Sequence, residues 1–288
     1  MRGNRFDVKQ LAIHNVFNSM FSIQSIRRIP QRIVCLTEEP TEILYLLGES
    51  ERIVGITAYT ERPARAKDEK PVVSAFVGGS VKRIKALKPD LVIGFSDVQA
   101  DYASKLIKEN LQVVIFNQRS IQEILQVILM IGRLVGADER AEALVDGYVQ
   151  RINTFKANTP QIKPRVYFEE WDDPMISAIQ WVSELIELAG GENVFADRAT
   201  GAASVDRHVT SQEVIDADPE LFIGCWCGKK LDEEAVYARE GWQNVSAIQH
   251  KQVHEIDPAI ILQPGPACLT DGLDALAALI AEAASKSS

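Results

Sequence analysis

The 288-residue chain is 46% hydrophobic and 25% charged, ordinary values for a globular protein, and it is long enough for two domains that each bury a core. Its 31 Lys and Arg against 40 Asp and Glu leave a formal charge of −9, which argues against nucleic acid and anionic membrane surfaces, since both require a basic face. The most apolar stretch, residues 121–135, is broken by Gln122, Glu123, Gln126 and Arg133 and is too short to span a bilayer, so no membrane insertion is expected.

Residues 1–30 read as an N-terminal extension. A secretory signal needs a continuous apolar core and a small-residue cleavage site, whereas Asp7, Lys9, His14, Asn15 and Asn18 interrupt this segment and Arg27-Arg28 occupies the cleavage region. Met20 is an alternative start. Of the four cysteines, Cys35 and Cys268 are isolated, and Cys225 and Cys227 are too close for an ordinary structural bridge. These features predict a cytoplasmic, monomeric protein; a periplasmic or extracellular one follows if the start is misassigned.

From there, residues 32–36 predict a buried strand and Pro40-Thr41-Glu42 the entry to a helix closed by Gly48. Strands follow at 52–57 and 71–74, a helix at 81–87, a strand from Leu91, a helix at 101–110 and a strand at 111–116. Ser120 is the expected N-cap of a helix reaching Gly136. Ala141, Leu144, Val145, Tyr148, Ile152 and Phe155 then recur at helical spacing, predicting a rod about 27 Å long. Beyond the boundary loop, strands are expected at 165–168, 221–223 and 252–256, and helices at 181–189, 211–217 and 269–284.

The halves repeat one another. Lys88-Pro89-Asp90-Leu91-Val92-Ile93-Gly94 returns as Asp218-Pro219-Glu220-Leu221-Phe222-Ile223-Gly224, and the strand before Thr37-Glu38-Glu39-Pro40 has a counterpart before Glu169-Glu170-Trp171-Asp172-Asp173-Pro174. The predicted architecture is α/β: two Rossmann-like lobes with parallel sheets joined by a single long helix, with lobes at 31–136 and 161–288 and the connecting helix at 137–160. Open α/β sheets bind ligands beyond the carboxyl ends of their strands, so the expected site is the cleft between the lobes.

The order Arg32-Ile33-Val34, Thr41-Glu42-Ile43-Leu44, Gly55-Ile56-Thr57, Leu87-Lys88-Pro89-Asp90-Leu91-Val92-Ile93 and Ala189-Gly190-Gly191-Glu192-Asn193-Val194-Phe195 resembles the cobalamin and iron-chelate substrate-binding proteins of ABC importers, nearest the cobalamin-binding branch. The resemblance implies a non-catalytic protein that requires no cofactor and whose ligand is cobalamin or another metal chelate. It also implies docking to a membrane permease through one glutamate on each lobe. Lys82 and Gln212 stand at those positions, with Glu213 as a neighbour of the second, which tells against docking.

Residues after strand ends supply the candidate ligand contacts: Glu38, Glu39, Tyr59, Phe76, Phe95, Gln118 and Arg119 from the first lobe, and Glu170, Trp171, Asp172, Trp226, Lys229, Lys230 and Trp242 from the second. Aromatic faces with a few polar anchors suit a large flat ligand. The alternative is that Phe76, Phe95, Trp181 or Trp226 are core. Glu38-Glu39 and Glu169-Glu170 with Asp172 would form an acidic ring across the cleft, favouring a cation; equally, they would cap helices before Pro40 and Pro174. That ring gives a second functional reading, a cytosolic enzyme or sensor acting on a small cationic substrate or metal ion, with Glu170 or Asp172 as acid or base. Cys225 or Cys227 is a candidate axial ligand to a bound metal complex. No protein-held metal is expected, because a strand at 252–256 would separate His250 and His254 by roughly 13 Å. The chain lacks a complete phosphate loop, and no Gly-x-Ser-x-Gly elbow is present.

Overall fold

Alternation along the central strands divides the side chains between cores. The structure, a computed structural model, describes residues 29–158, 162–201 and 203–286. In β1 (Ile33–Cys35), Ile33 and Cys35 enter one large core, while Val34 and the following Leu36 enter a smaller cluster with Val73, Ile84, Val92, Tyr102 and Leu106. Both faces are apolar because both faces are covered by other elements, as expected of a parallel strand. The strand β10 (Leu221–Gly224) does the same in the second lobe: Leu221 and Ile223 face the large core, and Phe222 faces an aromatic cluster with Tyr167 and Trp242.

The first sheet has the order β4 (Gly78–Gly79), β3 (Val72–Ala75), β2 (Ile53–Thr57), β1, β5 (Leu91–Phe95), β6 (Val113–Phe116); all neighbours are parallel except the β3–β4 hairpin. Helices α1 (Glu38–Leu46), α2 (Ala66–Glu69), α3 (Val81–Ala86) and α4 (Ala100–Lys108) connect its strands. Two long helices follow. The first, α5 (Ile121–Val135), starts at a reciprocal Ser120–Glu123 capping box and stops at Gly136; α6 (Asp138–Ala157) is the rod expected from the sequence and packs on α5.

The second sheet runs β11 (Val253–Glu255), β10, β7 (Arg165–Asp172), β8 (Met175–Ser177), with β9 (Glu192–Asn193) paired to the start of β7. Its helices are α7 (Gln180–Leu188), α8 (Ser211–Ala217), α9 (Glu233–Tyr237), α10 (Ser246–Gln249), α11 (Pro258–Ile261) and α12 (Leu273–Lys286). Both copies of the repeated motif end on glycine for one reason, close packing. A Cβ on Gly94 would lie 2.3 Å from Gln99 Oε1, and one on Gly224 would lie 2.4 Å from Leu231 Cδ1.

The repeat fails at one place. The strand expected to stop at residue 168 continues to Asp172 and turns back antiparallel into β8, so Pro174 sits in a hairpin turn while Pro40 lies in the first turn of α1. Glu169 to Asp172 are therefore strand residues, and the expectation that they cap a helix does not hold. The C-terminal helix likewise begins later than expected, after a π-type turn at Cys268–Gly272. The large core continues from Ile33 and Ile93 through Ile128 of α5 and Tyr148 of α6 to Phe168, Trp181 and Leu276, so the lobes share one apolar interior. Among the described residues no helix is long and apolar enough to cross a membrane. The features read from residues 1–28, including the alternative start, lie outside the described residues.

Candidate functional site

In the first sheet the chain runs outward one way from β1 through β2 and β3 and the other way from β5 to β6, which puts the switch point between β1 and β5. A crevice is expected outside the carboxyl ends of such strands. A cleft of about 770 Å³ opens between the lobes one strand away, beyond the carboxyl end of β2, which neighbours β1. Tyr59, Glu61 and Arg62 line it from the first lobe; Trp226, Cys227, Lys229 and Lys230 after β10, and Glu255, Asp257, Ile260 and Gln263 around the end of β11, line it from the second. Tyr59 is 55% exposed and both lysines are exposed, whereas Trp226 lines the cleft while only 3% exposed.

Trp226 is held from behind. Its Nε1 donates to Glu169 Oε1 at 3.1 Å, and the fully buried Glu169 also accepts from the Tyr167 hydroxyl at 2.8 Å and from two Arg239 nitrogens at 2.7 Å each. Arg239 lies over the Trp242 ring, 4.5 Å from its centroid. This bidentate pair satisfies a carboxylate that would be very costly to bury alone. The other acids of β7 are paired too. Glu170 Oε2 meets Arg207 at 2.8 Å and Glu170 Oε1 accepts from Ile179 N at 2.6 Å; burial pushes its carboxyl up, opposed by Arg207. Asp172 accepts from Lys229 Nζ at 2.6 Å; burial pulls it upward, but Lys229 holds it below the ordinary range.

The acidic ring is thus corrected, because its second-lobe half is neutralised by Arg239, Arg207 and Lys229. The first-lobe half is buried. Glu38 accepts from Glu61 N at 2.5 Å, and burial pushes its carboxyl up to about 8; Glu39, pushed up to about 7 by burial, packs beneath Gly265 of the second lobe. Neither lines the open cleft. Glu42 beside them is paired with Arg62, which also meets Asp271 across the seam.

Other expected contacts also lie elsewhere. Trp242 is core: it is 1% exposed, its ring packs against Tyr167 and Phe222, and its Nε1 donates to Ser211. Phe95 is buried edge-on against Trp181 and beneath the Arg119 guanidinium. Arg119 pairs with Asp97, Gln118 is buried at the lobe seam, and half-buried Phe76 presents its carbonyl to Gln99 rather than lining the cleft. Trp171 is half-buried and touches Lys229. Cys227 is exposed in the cleft, while Cys225 is buried. No group of three or more His, Cys, Asp or Glu side chains is arranged to hold a metal among the described residues. The sequence reading missed Glu61, Arg62, Glu255, Asp257 and Ile260 as lining residues, whereas Cys227, a candidate ligand there, does line the cleft. Applying the strand-end rule to the strand expected at 252–256 would have found Asp257 and its neighbours.

A family profile described as periplasmic binding protein matches residues 33–260, most of the chain and both lobes. The chain belongs to the periplasmic binding protein family. This periplasmic binding protein is 27% identical over 264 residues to the uncharacterised ABC transporter substrate-binding lipoprotein YvrC of Bacillus subtilis, covering 88% of this chain and 81% of that one. It is 24% identical over 243 residues to the vitamin B12-binding protein of Yersinia pestis, covering 83% and 85%. Its fold matches the periplasmic heme-binding protein RhuT of Roseiflexus with a TM-score of 0.72 at 23% identity, over 87% of this chain and 99% of that one. The protein is a non-catalytic solute-binding protein of the ABC-importer type and needs no cofactor. The enzyme reading falls with that. The cytoplasmic placement is overturned as well: the family is periplasmic, and the relatives include a lipoprotein, which points to a position outside the cytoplasmic membrane.

Proposed function

We propose that the interlobe cleft binds a large flat metal chelate, a corrinoid in the first instance, with the ligand seated between Tyr59 on one lobe and the Trp226 loop on the other. The observation that carries this reading is the cleft itself: about 770 Å³, a size suited to a small-molecule ligand, with aromatic side chains on both walls. Lys229 and Lys230 at its mouth supply donors for ligand amides, phosphate or carboxylates. The vitamin B12-binding relative supports a corrinoid over other chelates. The test is titration with cobalamin, haem and a ferric chelate, followed by tryptophan fluorescence and calorimetry. Saturable quenching by cobalamin at micromolar concentration or below is expected. No signal with any of the three would overturn the flat-ligand reading.

We further propose that delivery to a permease built for an acidic contact on each lobe is impaired. Lys82 is exposed in the first turn of α3 and Gln212 in the first turn of α8, while Glu213 is already engaged by its own helix cap and by Arg198.

A further inference from the structure

The Lys229 ammonium is enclosed on three sides. Its Nζ lies 4.5 Å from the centroid of the Trp171 ring, 4.7 Å from that of the Trp226 ring and 2.6 Å from Asp172 Oδ1. Two aromatic faces and a carboxylate around one positive charge are the elements by which proteins recognise organic ammonium groups. The walls are fixed independently of the lysine: Trp171 Nε1 donates to the Asp173 carbonyl at 2.9 Å and Trp226 Nε1 to Glu169. The occupant is not. Lys229 is exposed and follows Gly228, which has a φ of +85° and open space around its α-carbon.

We infer that Trp171, Trp226 and Asp172 form a cation-recognition box that meets the cleft at Trp226 and Lys229, occupied in the ligand-free protein by the chain's own Lys229, and that it accepts an alkylammonium group of the ligand in exchange. The charge around the box is consistent with this. If the lysine swings out, Asp172 loses its ammonium partner beside a wall that carries Glu255 and Asp257; of the remaining cations, Arg239 is bound bidentately to Glu169, Arg62 opposite is paired with Glu42 and Asp271, and Lys230 stands on the same wall. A tethered lysine competes at an effective concentration on the order of millimolar, so it lowers affinity for any free cation without closing the box. The inference rests on the proposed binding role of the cleft, which Trp226 and Lys229 line, and not on the corrinoid, because cobalamin carries no alkylammonium group.

The test uses tetramethylammonium chloride as the probe, with sodium chloride at equal ionic strength as the control, read by tryptophan fluorescence and calorimetry. Lys229→Ala is expected to bind the probe at least tenfold more tightly than the unaltered chain, and Asp172→Asn or Trp171→Leu added to it is expected to abolish the gain. Lys229→Gln provides a second way of emptying the box. An absence of saturable response in both Lys229 variants, with folding verified by circular dichroism, overturns the inference and leaves Lys229 as a latch between the two loops. Cobalamin titration of the same proteins separates the two claims: corrinoid binding without a tetramethylammonium response sinks the box alone, and the reverse sinks the corrinoid reading alone.

Discussion

Gln118 of the first lobe donates through Nε2 to the carbonyl oxygen of Pro264 at 3.0 Å, joining residues 146 positions apart across the lobe seam. Nearby, Ala267 N donates to Glu42 Oε2 at 3.1 Å and Arg62 meets Asp271 at 2.9 Å, over an apolar interior shared by both lobes. A seam that is both bonded and packed resists opening. Small-angle scattering should therefore give closely similar radii of gyration with and without bound ligand. A clear contraction on binding would show that α6 acts as a hinge. Gln118→Ala should lower stability by about 1 kcal/mol, the usual worth of one such bond, as measured by urea denaturation.

Tyr59 and Trp226 separate ligand contact from fold support. Tyr59 is mostly exposed, so Tyr59→Ala should weaken corrinoid binding by about 1–3 kcal/mol, in the range of an aromatic anchor, with the melting temperature unchanged. Trp226→Ala should weaken binding and also cost about 3–5 kcal/mol of stability, because the ring is buried and its N–H bonds to Glu169. Unchanged affinity in Tyr59→Ala would place the ligand away from that wall.

Much of the frame was legible because it depends on local pattern. The apolar run at residues 33–36, the glycines ending the repeated motif, Ser120 with Glu123, and the helical spacing from Ala141 to Phe155 each carry their own structural reason within a few residues. The electrostatics of the site were not legible, because they are set over long separations. Glu169 is tolerated in the interior by Arg239, 70 residues on, and Asp172 by Lys229, 57 residues on. The extension of β7 through Glu-Glu-Trp-Asp was missed for the same reason: a polar stretch reads as loop until the partners that bury it are known. Trp242 reads as a ligand contact because it follows the strand at 221–223, yet its ring completes a core with Tyr167 and Phe222.

Glu39 makes stability depend on pH. Burial raises its carboxyl from an ordinary 4.5 to about 7, opposed by hydrogen bonding with Thr37 and with its own backbone. Between those values the folded protein keeps a proton that the unfolded chain releases, so stability falls as pH rises through this window; Glu38, pushed up to about 8, extends the fall. Glu39→Gln keeps the shape and removes the titration. It should match the unaltered protein at pH 4 and exceed it by roughly 1–3 kcal/mol at pH 8. Parallel stability curves for the two proteins across this range would show that Glu39 is ionised in the fold.

The docking face yields the last expectation. Resemblance to importer binding proteins implies an acidic contact on each lobe, but α3 presents Lys82 with Arg83 and Lys85 in the same helix, and α8 presents Gln212, whose amide donates to Asp216 at 2.8 Å. Glu213 offers no substitute. Its carboxylate accepts from Thr210 N and from the Thr210 hydroxyl, pairs with Arg198, and is held down to about 2 by those bonds. Against the basic permease group that an acidic contact implies, a lysine replaces attraction with repulsion, and such juxtapositions can cost several kcal/mol. Added to a vitamin B12 importer reconstituted in liposomes, the unaltered protein should therefore leave ATP hydrolysis near its basal rate. Lys82→Glu combined with Gln212→Glu should raise it, and Lys82→Glu should contribute the larger share because it reverses a charge where Gln212→Glu only adds one. Full stimulation by the unaltered protein would mean that docking does not rely on these two positions.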